Sequence, residues 1–181
     1  LKAARVPFEL PQGEQRKTRL TSVLEAIYLI FNEGYTATNG TEWTRRQLCE
    51  QALRLSRSLV ELEQAETELL GLAALLEFQS SRLPARQDET GAAILLQHQN
   101  RARWDQLLIR RGFNYLERAF ELNQPVGAYC LQAAIAACHA RAQSWDATDW
   151  VEIVALYDGL YQTMPTSVVA LNRAVAVSMS Y

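Results

Sequence analysis

Four arginines, Arg82, Arg86, Arg101 and Arg103, bracket a stretch of this chain in which helical periodicity stops. A guanidinium offers a planar fork of donors that grips a carboxylate or phosphate through two parallel hydrogen bonds. Four such groups around one irregular stretch make either a clamp for an anion or partner, or a set of internal ion pairs with Glu33, Glu77 or Asp105 that pins the stretch in place. A second polar group, Asn32-Glu33-Gly34-Tyr35, closes an otherwise apolar helix. It reads first as a helix end with Gly34 just past the last turn, because terminal carbonyls must find donors. The other reading is a ligand or partner contact at the mouth of a groove. Trp104 and Trp150 lie beside Asp105 and Asp149 at predicted helix starts. Large aromatics in that position seal helix junctions more often than they form a binding platform.

The remaining chemistry-bearing residues do not assemble. Cys138 and His139 are adjacent, and neighbouring helical side chains point about 100° apart. Cys130 and Cys138, eight residues apart in one predicted helix, stand about 12 Å apart at 1.5 Å per residue, beyond disulfide reach. The sequence has no Gly-rich phosphate loop, metal-ligand spacing or nucleophile elbow. No catalytic set, cofactor or metal is expected, and the chain is not expected to be an enzyme.

Composition is that of a globular protein: 181 residues, 49% hydrophobic and 21% charged, net charge −2. A near-neutral balance argues against direct DNA binding, which concentrates basic side chains. The one local exception is Leu1–Arg19, with five basic residues (Lys2, Arg5, Arg16, Lys17, Arg19) against Glu9 and Glu14. Three cysteines form no disulfide framework, and no apolar run reaches membrane-spanning length. The expectation is a reduced, cytoplasmic protein with no membrane partner. The chain begins without Met and stops at Tyr181 inside a helical pattern, so it reads as a piece of a longer protein.

The elements that must position these residues are helices throughout. Leu1–Gln12, with Pro7 and Pro11, is aperiodic and reads as a linker over 1–14, with one helical domain over 15–181 that is cut short at its C-terminus. Helices are predicted from Gln15 to Gly34, Thr44 to Leu62 (Leu48, Ala52, Leu55, Leu59 and Leu62 on one face) and Ala65 to Ser80, the last apolar almost all round and therefore central. Thr36–Thr41 is a loop with Asn39-Gly40 as its turn. Arg82–Asn100 is a lid or a short hairpin lying on the helices. Four more helices follow, ending near Leu122, Arg141, Thr163 and Ser180, with Asp149 or Thr148 capping the third.

Pro125 and Pro165 are forty residues apart, and at that offset Leu131–Cys138 lies over Leu171–Ser178, and Leu116 and Phe120 over Leu156 and Leu160. Each unit is a helix, a break, then a helix of small residues that permits close approach. That is the pattern of a tetratricopeptide-like superhelical array, with Leu48–Leu76 as a diverged third unit.

Six blocks then occur in order: Tyr28–Tyr35, Ser81–Arg86, Gln99–Asp105, Ala133–His139, Thr148–Trp150 and Ala170–Val177. Together with Lys2–Phe8 they resemble the C-terminal helical extension of a group of bacterial extracytoplasmic-function RNA polymerase sigma factors. The chain departs from that pattern at Asn100, where an acid is expected, and at Phe78-Gln79, which replaces a His-Asp-like pair. The resemblance implies an accessory domain that modulates transcription initiation. Its partners would be the sigma factor's own N-terminal regions and the RNA polymerase core, with DNA met only through the upstream part. Asn32, Glu33, Tyr35, Arg82, Arg86, Arg101, Arg103, Trp104, Asp105, Asp149, Trp150, Asn172 and Arg173 are the candidate groove, partner or structural polar residues. The alternative is a small-molecule sensor in which the Arg82–Arg103 segment closes beside Asn32 and Glu33.

Overall fold

A helix that is apolar on every side can only sit at the centre, and α3 (Thr67–Ser81) does: Leu69, Leu70, Leu72, Ala73, Leu76 and Glu77 have no exposed surface. The computed structural model describes residues 12–36, 42–63 and 65–181. Around α3 pack α1 (Gly13–Thr36), α2 (Glu42–Leu62), α4 (Gln106–Glu121) and α5 (Ala128–Arg141). Beyond α5 the chain continues outward as α6 (Trp150–Thr163) on α5, then α7 (Ser167–Met179) on α6. The described residues are all-α, as the periodicity predicts. The expected linker and the Asn39-Gly40 turn lie outside the described residues, apart from the start of α1.

Close packing is bought by glycine where α3 meets its neighbours. A Cβ on Gly71 would stand 2.6 Å from the backbone N of Cys130 and 2.8 Å from its Cα, so α3 and α5 touch backbone to backbone. The start of α5 also takes its cap from α3. The Glu68 carboxylate accepts from the backbone N–H groups of Gly127 (3.1 Å), Tyr129 (2.9 Å) and Cys130 (3.2 Å). An anion at a helix N-terminus satisfies free amides and the helix dipole together.

Two expectations are corrected. α1 does not end at Gly34 but runs to Thr36. Contacts of Tyr35 hold the extra turn: its ring stacks on Phe31 one turn back at 5.3 Å, and its hydroxyl donates across to Gln79 Oε1 of α3 at 2.7 Å. The buried face of α2 is Cys49, Ala52, Leu53, Ser56 and Val60, while Leu55 and Leu62 are exposed. The buried stripe passes through Ser56, whose hydroxyl turns back onto the Leu53 carbonyl at 2.9 Å and so needs no solvent.

The Arg82–Asn100 segment is a short hairpin-like strap. Asp88 N–H donates to Ala92 O (3.0 Å) and Ile94 N–H to Arg86 O (2.7 Å) around a single antiparallel bridge, Gln87 with Ala93. Single 3₁₀ turns, Leu83–Ala85, Leu96–His98 and Arg101–Arg103, carry the rest. Asp105 N–H closes the strap onto Ser81 O at 2.9 Å.

The Gly71 contact makes a direct prediction. Gly71→Ala should cost about 1–3 kcal/mol in equilibrium urea unfolding, because backbone must move. Gly159→Ala, whose new methyl meets only Leu131 Cδ2 at 3.6 Å, should be neutral or stabilising by up to about 1 kcal/mol through helix propensity.

Candidate functional site

The strap brings three of the four arginines onto neutral acceptors and aromatic rings. Arg82, largely buried, donates to Gln99 Oε1 and Gln79 Oε1, both at 3.3 Å, and its guanidinium lies 5.7 Å from the Trp104 ring centre. Arg86 donates to the Tyr35 carbonyl at 2.8 Å and stacks over the Tyr35 ring at 3.5 Å. Arg101 reaches past Trp104, 4.8 Å from its ring centre, to donate to the carbonyls of His139 and Ala142 (2.9 Å for Ala142) at the C-terminus of α5. Cations belong at that end of a helix, where carbonyls are free and the dipole is negative. Arg103 is exposed.

The expected ion pairs are therefore corrected. Among the described residues none of these arginines pairs with Glu33, Glu77 or Asp105. Glu77, wholly buried, is held by Arg57 through two hydrogen bonds of 2.7 and 2.8 Å. Asp105 caps α4, accepting from Leu107 N–H (2.8 Å) and Leu108 N–H (3.1 Å). Glu33 is exposed, and Asn32 is half-buried. Asn100, the departure from the sigma-extension pattern, accepts from Ala102 N–H at 3.0 Å and caps its own turn. Gln79 accepts from both Tyr35 and Arg82, and so stands between α1 and the strap.

Trp104 is 3% exposed and packs in the core beside Phe78 and Ile109. Its indole Nε1, Arg101 Nη2 and His139 Nδ1 are buried without a hydrogen-bond partner. Burial, with Arg82 and Arg101 adding repulsion, pushes the His139 pKa down to about 4. Burial pushes the neighbouring Cys138 thiol up to about 12. Both groups are thus neutral, as suits a packed helix end. His139 also meets Trp150 edge to face at 5.4 Å, and Trp145 meets Trp150 at 4.6 Å, so these rings seal the α5–α6 turn. Asp149 caps α6 through Glu152 N–H at 2.9 Å. Arg173 pairs with Asp158 across α6 and α7, and Asn172 is exposed, far along the chain's packing order from the strap.

A second feature escapes the residue-type search because it is mostly apolar. Between α4, α5 and α6 lies an open groove of about 720 Å³, floored by Phe113, Leu116, Phe120, Ala134, Ala137 and Leu156. Glu117, Glu121, Glu152 and Arg141 edge it, the last two paired with each other. Phe120 is 47% exposed, unusual for a phenylalanine. The sequence signal was the ridge Phe113, Leu116, Phe120 flanked by Glu117 and Glu121 four residues apart. Among the described residues no three His, Cys, Asp or Glu side chains converge on a point that would hold a metal. No helix there is long and apolar enough to cross a membrane.

Fold and site together define an all-helical packing domain with an arginine-rich strap across one end and an apolar groove on its outer helices. Residues 19–120 match a family of unknown function, DUF6596, and the chain belongs to that family. The matched stretch takes in most of α1, all of α2, α3 and the strap, and α4 up to its last residue. The chain is also 49% identical over 176 residues to an uncharacterized protein of Rhizobium meliloti (strain 1021), covering 97% of this chain and 41% of that relative. It therefore spans less than half the relative's length. No solved structure matches.

Two predictions follow the geometry. Arg101→Ala should cost about 1–3 kcal/mol, because buried carbonyls lose their donor, and Arg103→Ala should change stability by less than about 0.5 kcal/mol; thermal melts of both check this. His139 has a folded pKa below its unfolded value near 6.5, so protons favour the unfolded chain. Its contribution should be intact above about pH 6.5 and lost as pH falls towards 4, up to about 3 kcal/mol in all. His139→Gln should flatten the stability profile in that window, measured by urea unfolding at a series of pH values.

Proposed function

We propose that this chain is an accessory protein-interaction domain of an RNA polymerase sigma factor, built as a tetratricopeptide-like array and acting in transcription initiation. The observation that carries this reading is the open apolar groove between α4, α5 and α6, with Phe120 presented in it. Arrays of paired helices bind extended or helical segments in such grooves. The six sequence blocks in order supply the sigma-factor part of the reading. The acidic edge, Glu117 and Glu121, suits a basic partner, and the DNA-reading region of a transcription factor is basic because it must meet phosphate. The upstream sigma regions, or the polymerase core, are accordingly the partners, and DNA is reached only through those regions. Cytoplasmic location is part of the same proposal. The basic stretch Arg16–Arg19, with the linker before it, would carry the coupling to those upstream regions; Arg16 and Lys17 there pair with Glu63 and Glu14.

A second reading has its own observation. Trp104 Nε1, Arg101 Nη2 and His139 Nδ1 are buried and unpartnered in one neighbourhood, and Arg82 adds charge with no carboxylate paired to it among the described residues. A small polar or anionic metabolite held under the strap would satisfy them. A metabolite panel in thermal shift tests this reading separately, since a tight ligand raises stability by mass action.

For the groove, Phe120→Ala combined with Glu121→Lys should weaken binding of the upstream sigma regions about 10- to 100-fold, the range of an interface hot spot. It should leave the melting temperature of this domain nearly unchanged, because both side chains are solvent-facing. Fluorescence anisotropy with the purified upstream regions, and in vitro transcription with the intact factor, provide the measurements. Wild-type behaviour in both would remove the groove reading.

A further inference from the structure

The last helix carries an apolar stripe that nothing in the described structure covers. On α7, Val168 (64% exposed), Leu171 (65%) and Val175 (49%) follow one another at i, i+3 and i+7, the spacing of a single helix face. A second face about a third of a turn away, Val169 and Ala176, is buried against α6. A helix apolar on both faces is the mark of an interior helix.

The forty-residue repeat says which interior position this is. Counting back forty residues, Val168, Leu171, Val175 and Ser178 fall on Ala128, Leu131, Ile135 and Cys138 of α5. Those four are the α5 residues in the cluster that α6 covers, together with Ile153 and Leu160 of α6. Leu131 also lies against Gly159 of α6. The same face is thus covered on α5 and open on α7.

We propose that Val168, Leu171 and Val175 are the seat of a further amphipathic helix of the same polypeptide, following Tyr181 and packing on α7 as α6 packs on α5. Length admits this occupant: the match covers 41% of the Rhizobium meliloti relative, so more than half of that polypeptide lies outside it; the repeat equivalence is what favours it. A second copy fits less well. Three side chains bury a few hundred Å² per partner, short of the roughly 800 Å² of a stable interface. A tethered helix needs no such area, since it loses little translational freedom on docking.

The proposal specifies sequence as well as structure. Forty residues on from Ile153, Leu156 and Leu160 the longer polypeptide should carry apolar side chains. In hydrogen exchange, α7 amides should be protected in the longer protein and should exchange faster in residues 1–181. Leu171→Asp with Val175→Asp should abolish the extra protection while leaving the urea midpoint of residues 1–181 unchanged. Equal exchange of α7 in the two proteins, or polar residues at the three positions, would overturn the proposal. So would concentration-dependent dimerisation of residues 1–181 that the double substitution abolishes, which would make a second copy the occupant.

Discussion

A helix without a solvent face must find partners for its side-chain polar groups inside the protein, and α3 gives three of them, Glu77, Glu68 and Thr67, to neighbouring elements, while Ser80 Oγ stays buried without a hydrogen-bond partner. Glu77 at its centre is wholly buried and takes both donors of Arg57 on α2. Removing one partner of such a pair strands a charge in the interior, at a cost of about 3–5 kcal/mol, so the pair fixes how α2 lies on α3. Glu68 near its start gives its carboxylate to the first amides of α5. Thr67 donates to Gln124, whose amide returns to Ala65 O. The loop between α4 and α5 is thereby tied to the same turn. α2, α5 and the loop after α4 are thus fixed on α3, and α1 packs chiefly on α2.

The strap obeys the opposite logic. Its arginines meet carbonyls, amides and rings instead of carboxylates, which leaves net positive charge half out of water. Desolvation pulls the pKa of Arg82 and of Arg101 below the ordinary value, and for Arg101 the nearby Arg82 adds to it. Stacking on Tyr35 and Trp104 offsets part of that cost, since an aromatic face attracts a guanidinium most strongly where water is scarce. Uncompensated cations in a partly dry setting attract carboxylates or phosphates, which sets the strap apart chemically from the apolar groove.

Helix identity was legible in the sequence wherever caps and periodicity agreed. α5 and α6 begin and end where the Pro125–Gly127 and Pro165 breaks and the Asp149 cap place them. The centrality of α3 was legible from its unbroken apolar run. The cross-helix contacts were not. Glu68 and Glu77 look like ordinary surface acids in one dimension, because a carboxylate's partner is set by packing that periodicity does not encode. Ser56 misled for a related reason: a serine bonded to its own helix is locally satisfied and counts as core. The strap's arginines were found by type, yet their partners were backbone carbonyls and amides, which no pattern of acidic residues reveals. Equivalence at the forty-residue offset is likewise only partial, since Phe120 is exposed where Leu160 is 2% exposed.

That inequality separates two kinds of architecture within one chain. From α1 to α5 each helix touches α3, so the loss of any contact is felt by a shared core and unfolding is cooperative. Beyond α5 each helix touches only its neighbours in the chain, and where contacts are only between neighbours stability is close to a sum of local terms. Opening free energies should fall from the hub towards α7. The groove lies where the two regimes join, with α4 and α5 packed on α3 and α6 packed on α5. Phe120 is exposed on the α4 wall, at the position where the repeat logic would have buried it, so its exposure cannot be put down to fraying. An apolar ring kept in water by the stable half of the molecule is what a recognition surface requires.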